Sequence, residues 1–322
     1  MTRSPAVLVH SDRPDAVLAV IGEAHPDLRL EACTDYAGLP AALARSGAEV
    51  VYTVRFAGTP GFPRAALVES PTVRWASVGG SGTDHLQPWD ATRVTVTNAA
   101  GVAAGMMAEY ALGTILSFTL GLRQFAQRQR ERAWSAARVE PVEGKTLLVL
   151  GLGHTGEALA SRAKALGMTV LGVRARPRPT PHVDEVHGIE ALPGHWGRAD
   201  AIVCCVPLLP TTRGLVGQAA FSAMKPGVVL VDVSRGGVVE EKALLAALDS
   251  GRIKGAALDV FATEPLPRDH ALWAHEAVIV TPHCSSVYDG WEEKSARMFA
   301  ENLARYREGL PLRNVVDPVR GY

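Results

Sequence analysis

Residues 146–166 read TLLVLGLGHTGEALASRAKAL. A β-rich apolar run enters Gly151-Leu152-Gly153-His154-Thr155-Gly156, and a helical pattern follows at once. In such a strand–turn–helix the first glycine permits the tight turn and the second lets backbone approach a pyrophosphate. The third allows close helix–strand packing, while the helix N-terminus offers amide donors and a positive dipole. A GxGxxG alone carries little weight. This one stands between a strand and a helix and precedes a further strand-like run, MTVLGV (168–173), the context that a dinucleotide-binding βαβ unit requires.

The end of that second strand bears on which dinucleotide is bound. A site for NAD places Asp or Glu about 20 residues beyond the glycines, where a carboxylate meets the ribose 2′-hydroxyl. Here the segment is Val173-Arg174-Ala175-Arg176, with no carboxylate until Asp184. Both arginines suit a 2′-phosphate through charge-assisted hydrogen bonds. NADP(H) is the expected preference, and NAD(H) the alternative if the arginines are only a solvated loop.

Outward from this unit, strand-like and helical patterns alternate along the chain. AVLVH (6–10), EVVYTV (49–54) and RWASV (74–78) read as strands, with helices at 15–24 and 41–48. After a turn at EPVEGK (140–145) the alternation restarts with TLLVLGLG (146–153) and MTVLGV, then DAIVCCVP (200–207), GVVLVDVS (227–234), GAALDVF (255–261) and AVIVTPH (277–283). Runs apolar throughout are those of parallel strands covered on both faces, so the fold class is α/β. One long helix is predicted from Gly101 to about Arg132, apolar in its first half and charged in its second. An amphipathic helix is predicted over 291–309.

At roughly 150 residues per domain, 322 residues make about two domains. Lys plus Arg and Asp plus Glu both count 33, which excludes a strongly basic chain held to nucleic acid by counterion release. Zero net charge leaves little repulsion against self-association. The longest apolar stretch, Tyr110 to Leu122, falls well short of the about 20 residues that a membrane span needs, so no membrane partner is expected. The N-terminus enters a strand-like run at Ala6 with no room for a targeting segment, and Cys33, Cys204, Cys205 and Cys284 show no CxxC pair. Reduced thiols in a cytoplasmic protein are expected, and no metal.

Three blocks carry chemistry. Ser234-Arg235-Gly236-Gly237 follows VVLVDV, Asp259 to Pro265 (DVFATEP) follows GAAL, and Thr281-Pro282-His283-Cys284 ends AVIV. Each lies at the carboxyl end of a strand, where open α/β sheets bind ligands. Together with the glycine fingerprint, VPLLPTTRGLV (206–216), GGSGTDHL (79–86) and NAAGVAAGMMAEYAL (98–112), they closely resemble the D-isomer-specific 2-hydroxyacid dehydrogenases, from about Val50 to Asn314.

That resemblance implies two Rossmann-like domains, a flavodoxin-like substrate domain of residues 1–98 plus 286–322 and a dinucleotide-binding domain of residues 99–285, meeting in a cleft. It implies that Arg235 holds the substrate carboxylate and polarises the carbonyl, that His283 is the acid–base group, and that Glu264 is its partner. Gly80, Ser81 and Gly82 would bind the carboxylate through backbone N–H groups, with Arg55 facing the substrate. Met107, Val206, Pro207, Thr212, Val233, Ser234, Asp259 and Ser286 would join Gly151, Leu152, Gly153, His154, Thr155 and Gly156 around the cofactor. Asp259 would lie near the carboxamide. Asp232 and Cys284-Ser285-Ser286 depart from residues frequent in the family.

The implied reaction is reduction of a small anionic 2-oxoacid, of the glyoxylate or hydroxypyruvate type, in a homodimer. Two alternatives stay open: NAD-dependent oxidation of a phosphorylated hydroxyacid such as 3-phosphoglycerate, with Arg55 the one basic candidate, and a cofactor-sensing binding protein like the corepressors that share this fold.

Overall fold

A computed structural model describes residues 4–56 and 58–321. The chain divides into two units, one of described residues up to Val102 and from Tyr288 onward, the other Ala103–Val287. In the first, strands β1 (Val7–His10), β2 (Leu30–Cys33), β3 (Val50–Thr53), β4 (Trp75–Val78) and β5 (Thr95–Asn98) form a parallel sheet in the order β2-β1-β3-β4-β5. Helices α1 (Asp15–Ala24), α2 (Leu39–Ser46) and α3 (Arg64–Val68) connect its earlier strands. Every residue of β1, β3 and β4 is buried, as continuous apolar runs require of strands covered on both faces. The C-terminal helix, Trp291–Glu308, returns to this sheet. Its Ala296, Phe299 and Leu303 share a core with Val17 and Ile21 of α1, and Ser295 Oγ lies 2.9 Å from Tyr52 Oη.

The second unit holds seven parallel strands: β6 (Thr146–Leu150), β7 (Thr169–Val173), β8 (Glu185–His187), β9 (Ala201–Cys204), β10 (Val228–Asp232), β11 (Ile253–Leu258) and β12 (Val278–Val280). Their order is β12-β11-β10-β9-β6-β7-β8. Helices α4 (Ala104–Thr119), α5 (Leu122–Arg130), α6 (His154–Ala165), α7 (Gln218–Ala223) and α8 (Glu241–Asp249) complete it. Residues of α4 and α6 build the core on one face, and residues of α7 and α8 the core on the other. The strand order reverses between β6 and β9, the switch point at which a doubly wound sheet binds dinucleotides. A Cβ on Gly151 would lie 2.8 Å from Cys205 O, so backbone from the two strand ends meets there.

Two features differ from the sequence expectation. The long helix predicted from Gly101 to about Arg132 is two helices, because Gly121 takes φ +64° between α4 and α5 and the axis bends by 60°. The break separates the buried face of α4 from α5, which has no buried residue. Strands β2, β5 and β8 are additional. β2 and β8 are sheet edges with one buried residue between them, so neither carries an apolar run. β5 is Thr-Val-Thr-Asn, and its inward Thr97 Oγ1 is bonded to Trp75 Nε1 and Ser77 Oγ, which lets a polar strand be buried. Among the described residues no single helix is long and apolar enough to cross a membrane.

The packing of α4 on β11 has a sharp test. A Cβ on Gly255 would stand 2.3 Å from the ring of the buried Phe118. Gly255→Ala should overpack this contact and destabilise the protein by about 1–3 kcal/mol in denaturant unfolding. A larger change than that would mean that the sheet, not only the ring, has to move.

Candidate active site

The ends of β10, β11 and β12 lie side by side and carry the three chemical residues. Arg235 sits two residues beyond Val233, half-buried, and its Nη1 donates to Ser234 O at 2.8 Å. A Cβ on the next residue, Gly236, would lie 1.8 Å from Phe261 O, so only glycine lets this turn press onto the segment that leads to Glu264. Glu264 Oε1 accepts from Phe261 N at 3.1 Å, and Oε2 lies 2.8 Å from His283 Nδ1. The structure thus brings Glu264 and His283 together. The carboxylate fixes the ring by its Nδ1 edge, and Nε2 is the ring's other hydrogen-bonding atom.

His283 adopts φ +52°, a left-handed backbone uncommon for a residue with a side chain. What holds it is Asp259, only 1% exposed. Asp259 Oδ1 accepts from Thr281 Oγ1 at 2.6 Å and from Cys284 N at 2.9 Å, while Oδ2 accepts from Ser285 N at 3.0 Å. The hydrogen bonds fall on both sides of the histidine, so one buried carboxylate sets the turn that presents it. Tyr110 Oη, 2.8 Å from Thr281 Oγ1, ties the same turn to α4, and burial pushes its phenol up to about 12. The sequence assigns no role to Tyr110, and none to Thr281 within its block. The available signal was spacing: Tyr110 lies three residues beyond Met107, on the same helix face.

The glycine fingerprint forms the turn from β6 into α6. Among the described residues no side chain caps the N-terminus of α6, whose N-cap is Gly153, and a Cβ built on Gly153 would meet nothing within 4 Å. The first-turn amides and the open space over Gly153 fit a pyrophosphate, and packing does not explain the glycine there. Leu152 is buried, whereas His154 and Thr155 line the helix start, Thr155 Oγ1 lying 3.7 Å from Met107 Sδ. Val206 and Pro207 are half-buried in the loop after β9, which Thr212 Oγ1 braces by donating to Pro207 O at 2.6 Å and accepting from Leu209 N. Val233 and Ser234 are buried behind Arg235, and Ser286 is half-buried.

At the end of β7, Arg174 is half-buried, with Nη1 3.3 Å from Thr180 Oγ1 and 3.7 Å from Glu157 Oε1. Arg176 is exposed. Asp184 does not take the place of the missing ribose acid. It accepts from Val170 N at 2.8 Å and pairs with Lys164, holding its carboxyl below the usual range.

The remaining expected residues belong to the first unit. Arg55 is exposed just past β3. In the loop after β4, Gly80 O accepts from Ala99 N and Ser81 O from Asn98 Nδ2. Among the described residues the amides of Gly80, Ser81 and Gly82 meet no protein acceptor, so the loop holds its Gly80 and Ser81 carbonyls in place and leaves these donors for an anion.

The profile of the D-isomer specific 2-hydroxyacid dehydrogenase NAD binding domain matches residues 112–285. The chain belongs to this family. A D-isomer specific 2-hydroxyacid dehydrogenase from Xanthobacter autotrophicus Py2, solved with NADPH and MES, is 32% identical with a TM-score of 0.86, covering 99% of this chain and 100% of the other. An NADPH-dependent glyoxylate/hydroxypyruvate reductase from Sinorhizobium meliloti, solved with NADP and sulfate, is 26% identical with a TM-score of 0.84, covering 99% and 100%. The D-3-phosphoglycerate dehydrogenase of Methanocaldococcus jannaschii is 34% identical over 245 residues, 74% of this chain and 46% of that protein. The chain therefore spans about half the length of the curated relatives it matches.

Asp232, next to this site, is 2% exposed and accepts from Ser234 N at 2.9 Å. Burial pushes its carboxyl up to about 7 from 3.8, the Ser234 hydrogen bonds opposing the rise and the charge of Asp259 adding to it. The folded state then binds more protons than the unfolded state between those values, so stability falls as pH rises through that window. Asp232→Asn keeps an acceptor for Ser234 and removes the charge. Thermal unfolding should show the variant more stable than wild type above pH 7, with the difference shrinking toward pH 4. Parallel curves for the two proteins would show that the buried acid does not titrate there.

Proposed function

We propose that the protein is an NADP(H)-preferring oxidoreductase that reduces a small 2-oxoacid, of the glyoxylate or hydroxypyruvate type, to the D-2-hydroxyacid. The observation that carries this reading is the 2.8 Å pair between His283 Nδ1 and Glu264 Oε2 at the strand ends. When bound, the nicotinamide supplies the hydride. His283 Nε2 delivers a proton to the carbonyl oxygen as negative charge develops there, and takes it back in oxidation. Glu264 keeps the ring oriented by holding its Nδ1 edge. The Arg235 guanidinium binds the substrate carboxylate through its planar fork and polarises the carbonyl. The amides of Gly80, Ser81 and Gly82, which meet no protein acceptor among the described residues, are assigned to anion binding within the first unit.

The cofactor preference rests on Arg174 at the end of β7 and on the engagement of Asp184 elsewhere. The relatives solved with NADPH or NADP agree with it. The relatives named D-3-phosphoglycerate dehydrogenase favour a second reading, oxidation of that phosphorylated hydroxyacid with NAD.

A panel of glyoxylate, hydroxypyruvate and pyruvate with NADPH and with NADH, plus 3-phosphoglycerate with NAD, separates these readings by nicotinamide absorbance. Reduction of the first two with a higher kcat/KM for NADPH is expected, and Arg174→Ala should erase that preference. Turnover of 3-phosphoglycerate alone would replace the first reading by the second, and inactivity throughout would favour a cofactor-sensing protein. His283→Ala should lower kcat by ~10²–10⁴-fold while NADPH still binds. Asp259→Asn places a donor opposite a backbone N–H, so the turn should relax and kcat fall by about 10²-fold. An Asp259→Asn enzyme with full kcat would show that the clamp does not position His283.

A further inference from the structure

On the far edge of the seven-stranded sheet, β8 and the short helical turns after it gather Glu185, His187 and His195. One ligand atom from each lies within 4.8 Å of the others. His187 Nε2 is 3.1 Å from Glu185 Oε2, and the two imidazoles stack with centroids 3.9 Å apart and planes inclined by 29°. A cation already occupies the cluster. Arg198 Nη2 donates to Glu185 Oε1 at 2.6 Å, and its Nη1 lies 2.8 Å from Glu185 Oε2 and 3.1 Å from His195 Nδ1.

We propose that Glu185, His187 and His195 form a binding site for a borderline divalent transition-metal ion, of which Zn²⁺ is the type, with Arg198 as the competing internal cation. The donor set selects the class of ion. Two imidazoles and a carboxylate suit zinc and its neighbours, with water in the fourth position, whereas magnesium and calcium take oxygen ligands.

The backbone fixes two anchor points for these donors. Glu185 and His187 alternate on one face of β8. His195 is held where its N donates to Leu192 O at 2.9 Å, directly before the buried Trp196. Zinc bonds of about 2.0–2.2 Å put neighbouring donors roughly 3.3–3.5 Å apart. From separations of up to 4.8 Å the donors have to close by at most about 1.5 Å, a side-chain adjustment open to half-buried groups at a sheet edge. Arg198 is 43% exposed and has room to swing into water when the metal enters.

A metal here would tie β8 to the turn ten residues along the chain. It would also steady the neighbouring strand end, since Arg174 N donates to His187 O at 3.0 Å. Sequence gave no hint of it, because the three ligands are spread over eleven residues without a metal-binding spacing.

Calorimetric titration of the full chain with zinc chloride, repeated with Co²⁺ and read by its ligand-field absorption, tests the proposal. One ion per chain is expected, with a rise in the unfolding temperature. His187→Gln and His195→Gln should each weaken binding by more than roughly tenfold. Arg198→Gln should tighten it by removing the competitor. Unfolding transitions without metal confirm that each variant is folded, and paired glutamine variants in which either histidine survives cover the loss of any one of them. Absence of saturable binding, equal binding to wild type and the two histidine variants, or binding only when Arg198 is replaced would each overturn the proposal. In the last case the cluster is an ion-pair network that Arg198 closes permanently.

Discussion

Asp259 has both carboxylate oxygens committed to residues 281–285, and the presentation of His283 depends on that commitment. A histidine at φ +52° costs on the order of 1–3 kcal/mol in backbone strain and persists only where its surroundings enforce it. Here a hydroxyl and two backbone amides converge on one buried acid at the end of β11, and the turn after β12 has little freedom left. The ring so presented meets Glu264, whose other oxygen is anchored by Phe261 N. Two carboxylates therefore do separate work: one sets the backbone and the other orients the imidazole. Strand pairing delivers both, because β11 and β12 are neighbours in parallel register.

The same economy appears in the turns. Where Gly236 passes Phe261 and where Gly151 passes Cys205, a methyl group would collide with backbone carbonyls. Both contacts pull loops from adjacent strands onto the carboxyl edge of the sheet. Gly153 is different, since nothing among the described residues fills the space a side chain would take. The open space at this N-cap leaves room for a pyrophosphate at the start of α6.

Much of this was legible in the sequence, because continuous apolar runs identify strands buried on both faces and a glycine fingerprint between strand and helix is hard to mistake. Arg235, Glu264 and His283 were legible as strand-end residues within long matching blocks. The three added strands were not, because an edge strand such as β8 buries little and β5 hides its burial behind hydrogen-bonded threonines. The break at Gly121 was concealed by a composition that favours helix on both sides. The contact of Tyr110 with Thr281 was not legible, because it joins residues 171 positions apart. Arg174 was visible, while the fate of Asp184 needed the fold: only the structure shows it turned onto Val170 and Lys164.

The central claim is that His283 Nε2 is the proton-transfer atom. A crystal structure of the protein with NADPH and oxamate, an unreactive 2-oxoacid analogue, tests it most directly. The account predicts His283 Nε2 within hydrogen-bond distance of the analogue's carbonyl oxygen, Nδ1 still on Glu264, and the analogue's carboxylate on Arg235. An analogue whose carbonyl oxygen is bound by another group, with His283 turned away from it, would contradict the account.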